Sequence, residues 1–421
     1  MKRIVICMDG TWQTLSQDQL TNIGIISRSV AHTVQEPDPA GGTRDVQQVV
    51  IYTHGVGSNI GAVARRSLLG NLSAAFNRLA GGVFGEGLED GVVDTYLRLA
   101  FNYEAGDEIF IFGFSRGAFA ARRLAGFINT AGIVSRRHVE KAWMGYSIYH
   151  EEPGSDASED EKREHAERAA QFRRLYGKGE RNPDGTRRQT EDVPKITFLG
   201  VFDTVVQRGL TDILASATPW GRRRYRFNNV SMCPNVEAAR HAVAIDENRV
   251  NFPPTLWRDL DELNNCARQR PGADPHRYYF EQRWFVGAHS DIGGGRGSAL
   301  SAPALKWVTD GAAEQGLRFY GTYGEDESPL SEMLREAGIC YDARITRPSF
   351  WKSLQPINFR GRPRKVWTER TPPTLEDIDR LFDRTVVQRA TADHVRPRYK
   401  PKPLRAFRKA FREWVDNRPS D

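Results

Sequence analysis

Short apolar runs separated by polar, helix-forming stretches set the rhythm of this chain. Residues 3–8 (Arg-Ile-Val-Ile-Cys-Met) and 47–53 (Gln-Gln-Val-Val-Ile-Tyr-Thr) read as strands, as do Glu108–Gly113, Lys195–Val201 and Arg283–Gly287. Continuous apolar runs of this length, without clean alternation, fit strands covered on both faces. Helical patterns over 92–104 and from Arg116 to Asn129 alternate with them. That alternation predicts an α/β fold with a mostly parallel central sheet and helices on both faces. Two long stretches interrupt it. Residues 135–193 are strongly charged, acid-rich from Glu151 to Glu167 and then basic, and predict an exposed helical excursion. Residues 208–282, rich in Arg and Asn with scattered aromatics, form a candidate lid or substrate region. The expected division is a body over 1–320 and a C-terminal extension over 321–421, which has no sheet pattern.

Chemistry first appears where one of these strands ends. Gly113-Phe114-Ser115-Arg116-Gly117 directly follows the run Glu108–Phe112 and directly precedes the helix-forming run from Ala118 to Ala125. Gly-x-Ser-x-Gly is a weak pattern alone. Between strand and helix it describes a tight turn that holds a serine in a strained backbone and aims free helix N–H groups at a developing oxyanion. Ser115 is the expected nucleophile and the Arg116 N–H one oxyanion donor. A second donor is expected from the loop after the first central strand, at Gly10 or Thr11. The stretch His54-Gly55-Val56-Gly57-Ser58 is a second candidate loop, and no Gly-Lys-Ser/Thr follows it to make a phosphate cradle.

A serine hydroxyl needs a base, and the base an orienting carboxylate, in the chain order Ser, acid, His. Asp203 leaves the carboxyl end of the run Lys195–Val201, and His289 leaves that of Arg283–Gly287, ahead of the glycines Gly293 to Gly295. Both would lie on the sheet edge that carries the serine. His241 is the competing base; it follows no recognisable strand and reads as helical. Asp291 is the alternative acid, although two residues from His289 it suits a turn-holding hydrogen bond equally well. The fold expected from these pieces is the α/β-hydrolase fold with helical insertions.

Composition narrows the setting. The chain has 421 residues, 39% hydrophobic and 27% charged, which fits a globular protein. No apolar stretch reaches spanning length, and the basic start Met1-Lys2-Arg3 leads into a run too short for a signal peptide. Four scattered cysteines suggest neither disulfides nor a metal site, and no cofactor is expected. The expectation is a cytoplasmic protein in the producing cell, leaving it only by a route without a cleaved signal. The net charge of +7 is concentrated at the end: residues 396–421 hold nine Lys/Arg and three acids. Within 403–416, Leu404, Phe407, Phe411, Trp414 and Val415 share one helical face. A basic amphipathic helix of this kind fits peripheral membrane contact, or docking on the protein's own body. No nucleic-acid recognition motif accompanies the charge.

Six blocks in one order are similar to a known family. They are Met8-Asp9-Gly10-Thr11-Trp12, Tyr52 to Ser58, Gly113 to Ala118, Gly200 to Val205, His241 to Glu247, and Trp284 to Gly295. Together they resemble the α/β-hydrolase family, first catalogued as a domain of unknown function, that includes the type VI secretion lipase effectors of family one. Phe202 stands where that pattern has Trp, and His54 where it has an acid or amide. The resemblance implies phospholipase A-like hydrolysis of glycerophospholipid acyl esters, a Ser115–Asp203–His289 triad and bacterial origin. For some members it implies delivery into a rival cell, with a delivery or immunity partner. Two other readings stay open: an esterase or thioesterase for small soluble acyl substrates, and a hydrolase-like binding or toxin module.

Overall fold

The computed structural model describes residues 1–10, 13–38, 41–55, 84–154, 156–179, 192–205, 232–249, 252–296, 299–321, 328–336, 345, 363–366, 374–391 and 399–416. Among the described residues seven strands form one sheet: β1 (Arg3–Met8), β2 (Thr33–Pro37), β3 (Thr43–Thr53), β4 (Glu108–Phe114), β5 (Phe198–Phe202), β6 (Ala239–Ala244) and β7 (Phe280–Phe285). Their order is β2-β3-β1-β4-β5-β6-β7. Every pair is parallel except β2 with β3. The described helices are α1 (Asn22–Ser29), α2 (Phe84–Asn102), α3 (Arg116–Ala131), α4 (Ala142–His150), α5 (Glu159–Tyr176), α6 (Leu260–Arg268), α7 (His289–Gly293), α8 (Ser301–Glu314), α9 (Pro329–Glu336), α10 (Leu375–Leu381), α11 (Arg384–Thr391) and α12 (Arg408–Asp416).

The central strands are apolar throughout because each buries both faces. Along β1, Ile4, Ile6 and Met8 point into the core under α2, α3 and α4, while Val5 and Cys7 point into the core under α1 and α8. On β4, Ile109 and Ile111 join the first core, and Phe110, Phe112 and Phe114 the second. This is the period-two alternation of a strand, with helices replacing solvent on the second side. Gly200 on β5 marks where α8 comes closest: a Cβ there would sit 2.7 Å from Val308 Cγ1 and 2.8 Å from Phe112 Cδ1.

Several boundaries differ from the sequence reading. β3 begins four residues earlier than expected and pairs with β2, and α2 begins at Phe84 rather than 92. His241 lies on β6, not on a helix: Arg240 and His241 interrupt an otherwise apolar run, yet both its neighbours in the sheet are parallel strands. The stretch 208–282 therefore holds a core strand and α6 rather than one insertion. Nor is 135–193 simply exposed: Tyr146, Ile148 and Tyr149 of α4 are buried against α3, where Gly126 accommodates the Tyr149 ring. α5 carries the exposed charges, and a Ser158–Glu161 capping box opens it.

The extension packs on the β6–β7 side of the sheet. Val243, Ile245, Trp284 and Val286 form one cluster with Ile378, Phe382, Val387, Phe407, Phe411 and Trp414. The Asp383 N–H donates to Trp284 O at 3.0 Å. Leu404, Phe407, Phe411 and Trp414, expected to share a face that meets a membrane or docks on the body, are buried here, and Trp414 Nε1 donates to Asp379 at 2.7 Å. Docking has taken the rings; Lys409, with 92% of its side chain exposed, keeps its charge in solvent. The Val415 side chain lies outside the described residues.

Candidate active site

Ser115 joins β4 to α3 with φ 58° and ψ −121°. Outside glycine, only Ser115, Asp203 and Asp259 have positive φ among the described residues. Such a backbone costs about 1–3 kcal/mol and persists only where its surroundings enforce it. Here the enforcement is close packing. A Cβ on Gly117 would lie 2.2 Å from Met8 O, and one on Gly113 2.6 Å from Ala118 Cα, so the turn is pressed against β1 and its own helix. The Ser115 N–H donates to Phe202 O at 3.0 Å, tying the elbow to the end of β5.

Asp203 follows β5 and His289 opens α7 after β7, with the end of β6 between them. The positive φ of Asp203, 41°, lays its side chain across that gap, where Oδ1 accepts the Ala244 N–H at 3.0 Å. Its Oδ2 lies 2.6 Å from His289 Nδ1, and His289 Nε2 lies 2.8 Å from Ser115 Oγ. A carboxylate only accepts, so Nδ1 carries the proton, and the Nε2 lone pair faces the serine hydroxyl. Asp203 is fully buried, and Ser115 and His289 retain 8% and 6% exposure. The imidazole is held between Phe114 and Phe252, with ring centroids 4.9 and 5.1 Å away. Gly293 is required by the same packing, since a Cβ there would fall 2.0 Å from the Phe114 ring.

The two alternative residues have other partners. The Gln282 Oε1 lies 2.9 Å from His241 Nδ1, which must donate to it, so His241 Nε2 is the acceptor for the Thr204 N–H at 3.2 Å. Burial, with Arg122 nearby, pushes His241 down to about 3, which keeps it neutral. His241 thus braces the loop that carries Asp203 and does not meet Ser115. Asp291 accepts the Ala288 N–H at 2.9 Å and holds the turn before His289.

Of the expected oxyanion donors, Arg116 is the first residue of α3, directly after the serine. The Gly10 N–H donates to Asp9 Oδ1 at 2.6 Å and is engaged there, although Gly10 lies close to Ser115. Thr11 and residues 56–58 lie outside the described residues. Asp9 is itself buried and also accepts from Thr21 and Tyr52, each at 2.7 Å. Burial pushes its carboxyl up against these hydrogen bonds. A narrow cleft of about 30 Å³ beside the elbow is lined in part by Asp9, His54, Arg116 and Gly117. The larger cavity, about 610 Å³, lies between α4 and α5 and is lined by none of Ser115, Asp203 and His289. Among the described residues no group of three or more His, Cys, Asp or Glu is placed to hold a metal.

Sequence reasoning missed three neighbours of this site. Glu247, buried and paired with Arg249, accepts the His289 N–H at 3.3 Å. Phe252 packs on the imidazole, and Arg364 from the extension grips the Asp203 carboxylate, with Nη2 to Oδ2 at 3.0 Å. Burial opposes the ionisation of Asp203, but Arg364 and the His289 hydrogen bond outweigh it and hold the carboxyl well below the usual range. Only Glu247 was hinted at, as the final residue of the block His241 to Glu247. Nothing in the sequence around Arg364 distinguishes it from the other arginines of a basic extension.

A family model described as the catalytic domain of Tle1-like type VI secretion phospholipase effectors matches residues 2–311. An uncharacterized protein of Saccharomyces cerevisiae, YEL023C, is 30% identical over 256 residues, covering 60% of this chain and 32% of that protein. Among solved structures, an uncharacterized protein from Pseudomonas aeruginosa is 18% identical with a TM-score of 0.38, covering 79% of this chain and 48% of that one. A Tle1 effector bound to the VgrG spike of the type VI secretion system is 18% identical with a TM-score of 0.34, over 71% of this chain and 52% of that one. The chain thus spans about a third of the yeast relative and about half of each solved chain.

Proposed function

The chain belongs to the Tle1-like catalytic-domain family of type VI secretion phospholipase effectors, and from that membership we propose that it is a serine hydrolase cleaving acyl esters of glycerophospholipids through Ser115. The observation that carries the serine mechanism is the unbroken hydrogen-bond chain Ser115–His289–Asp203, at 2.8 and 2.6 Å. Ser115 Oγ attacks the ester carbonyl as its proton passes to His289 Nε2. Asp203, accepting from Nδ1–H, fixes the tautomer and stabilises the imidazolium that forms. The tetrahedral oxyanion develops at the start of α3, where the Arg116 N–H and the helix dipole favour negative charge. Collapse returns the proton from His289 to the leaving alcohol of the lysolipid and leaves an acyl-Ser115. Water activated by the same histidine then releases the fatty acid.

Membership of an effector family supports delivery out of the producing cell as part of this reading. No helix among the described residues is long and apolar enough to cross a membrane.

The test is fatty-acid release from phosphatidylethanolamine–phosphatidylglycerol vesicles, followed by mass spectrometry. Wild type should produce lysolipid and free acid, and Ser115→Ala should lose turnover by about four orders of magnitude. Turnover of short soluble esters with none on vesicles would move the assignment to a soluble esterase. Undiminished turnover by Ser115→Ala would end the serine mechanism.

A further inference from the structure

Arg364 lies beyond the segment matched by the family model, yet its side chain is 3% exposed and ends on Asp203, which is 0% exposed. Its two terminal nitrogens engage both carboxylate oxygens, Nη1 with Oδ1 and Nη2 with Oδ2. Nη1 also donates to Ala244 O at 2.8 Å and Nη2 to Phe252 O at 2.9 Å. One guanidinium therefore ties together the acid, the end of β6 and the residue whose ring packs on His289. Asp203 in turn accepts from Arg364, His289 and the Ala244 N–H, which occupies both oxygens. Bidentate pairing of this kind fixes a carboxylate in orientation as well as in charge.

Two other buried carboxylates provide an internal comparison. Asp9 accepts from Gly10, Thr21 and Tyr52, and Asp246 accepts from Gly287 and Tyr399 with the Arg389 charge nearby; burial pushes both up. Asp203, more deeply buried than either, goes the other way. The counter-charge that permits a fully buried, ionised acid at this site comes from the extension.

We propose that Arg364 is a positioning residue for hydrolysis, locking the orientation of Asp203 and supplying the positive charge that keeps the Asp203–His289 pair from taking up a proton. The proposal rests on the triad reading above. Removing the positive charge leaves a buried carboxylate without its counter-ion, so the pair gains proton affinity. The acid limb of the kcat/KM profile then moves up. With an effective dielectric near 20, a unit charge two contacts away shifts such a limb by about one to two pH units. The other groups facing the pair are fixed by their own partners and stay in place in such a variant. They are the Glu247–Arg249 ion pair, Asp246 bonded to Tyr399, neutral His241 with Arg122 beside it, Asp291 on its own turn, and Arg116 after the serine.

The experiment compares pH profiles of kcat/KM on p-nitrophenyl butyrate for the full chain, Ser115→Ala, Arg364→Gln, Arg364→Lys and Arg364→Ala, with circular dichroism melts for each. Arg364→Gln should lose about 10- to 100-fold in kcat, with its acid limb raised by about one to two pH units. Arg364→Lys should keep the limb near that of wild type while losing rate. Added guanidinium chloride at millimolar concentration should restore part of the Arg364→Ala rate. A folded Arg364→Gln with the wild-type limb would overturn the proposal, as would neutral variants that fail to fold while Arg364→Lys folds with a shifted limb. Undiminished turnover by Ser115→Ala would instead remove the triad reading beneath it, so the two failures are told apart.

Discussion

The tightest contact around the elbow makes a quantitative prediction at Gly117. A methyl group there would meet Met8 O at 2.2 Å, Asp9 O at 2.4 Å and Met8 C at 2.7 Å. All three are backbone atoms, from the last residue of β1 and the residue after it, so none can rotate away. Reaching even 3.0 Å, the shortest contact a Cβ tolerates, requires the first turn of α3 to withdraw by at least about 0.8 Å. Ser115 and the Arg116 N–H ride on that turn, while His289 is anchored separately after β7. The 2.8 Å Oγ–Nε2 bond would then stretch past hydrogen-bonding range. Gly117→Ala should therefore cost about 1–3 kcal/mol of stability as overpacking and about 100-fold in kcat/KM as misplacement. Gly91→Ala is the matched stability control: it lies within α2, nothing stands within 4 Å of the added methyl, and it should gain about 0.5–1 kcal/mol. Parallel ester-hydrolysis kinetics, fluorophosphonate labelling rates and urea titrations measure all of these. A Gly117→Ala enzyme with wild-type kcat/KM would refute the packing argument for the strained serine.

Two further outcomes concern the extension. Phe407→Ala removes a fully buried ring from the cluster on β7 and should cost about 3–5 kcal/mol in chemical denaturation; the still-folded fraction should bind vesicles as wild type does in sedimentation, and selective loss of vesicle binding would favour a membrane role. Burial pushes Asp246 up to about 6, above its unfolded value, so the stabilising contribution of this group is complete at low pH and lost as pH rises through about 6. Asp246→Asn should thus gain relative to wild type between pH 4 and 7, by up to about 3 kcal/mol, and a difference that does not vary with pH would contradict this.

What the sequence revealed and what it hid divide along a physical line. β1, β4 and β5 announce themselves because both of their faces are covered, and their runs are apolar without interruption. Ser115 and Asp203 were legible because each follows such a run, and His289 because it follows the shorter apolar stretch Trp284–Val286 at the end of β7; their side chains lie together in the fold. β6 was not legible, because Arg240 and His241 fill positions that its neighbours turn polar: Arg240 pairs with Glu281, and His241 bonds to Gln282 and the Thr204 amide. Those partners are 41 residues away or nearer only through the loop of another strand, and no local pattern reports them. The aromatic face of 403–416 was legible as a face, but what covers it depends on tertiary packing. Arg364 was the least legible, one arginine among sixty basic residues, given meaning only by a carboxylate 161 positions earlier.

The strand order has a consequence for how this molecule comes into being. β1 sits inside the sheet; β3 pairs on one side of it, and β4 to β7 are laid down in succession outward on the other. Parallel neighbours cannot zip up from a two-residue hairpin; each waits for a crossover to close. The serine, the acid and the base therefore arrive in order of synthesis but meet only when the outermost strand has been seated. An unravelled chain holds all three side chains and none of their geometry.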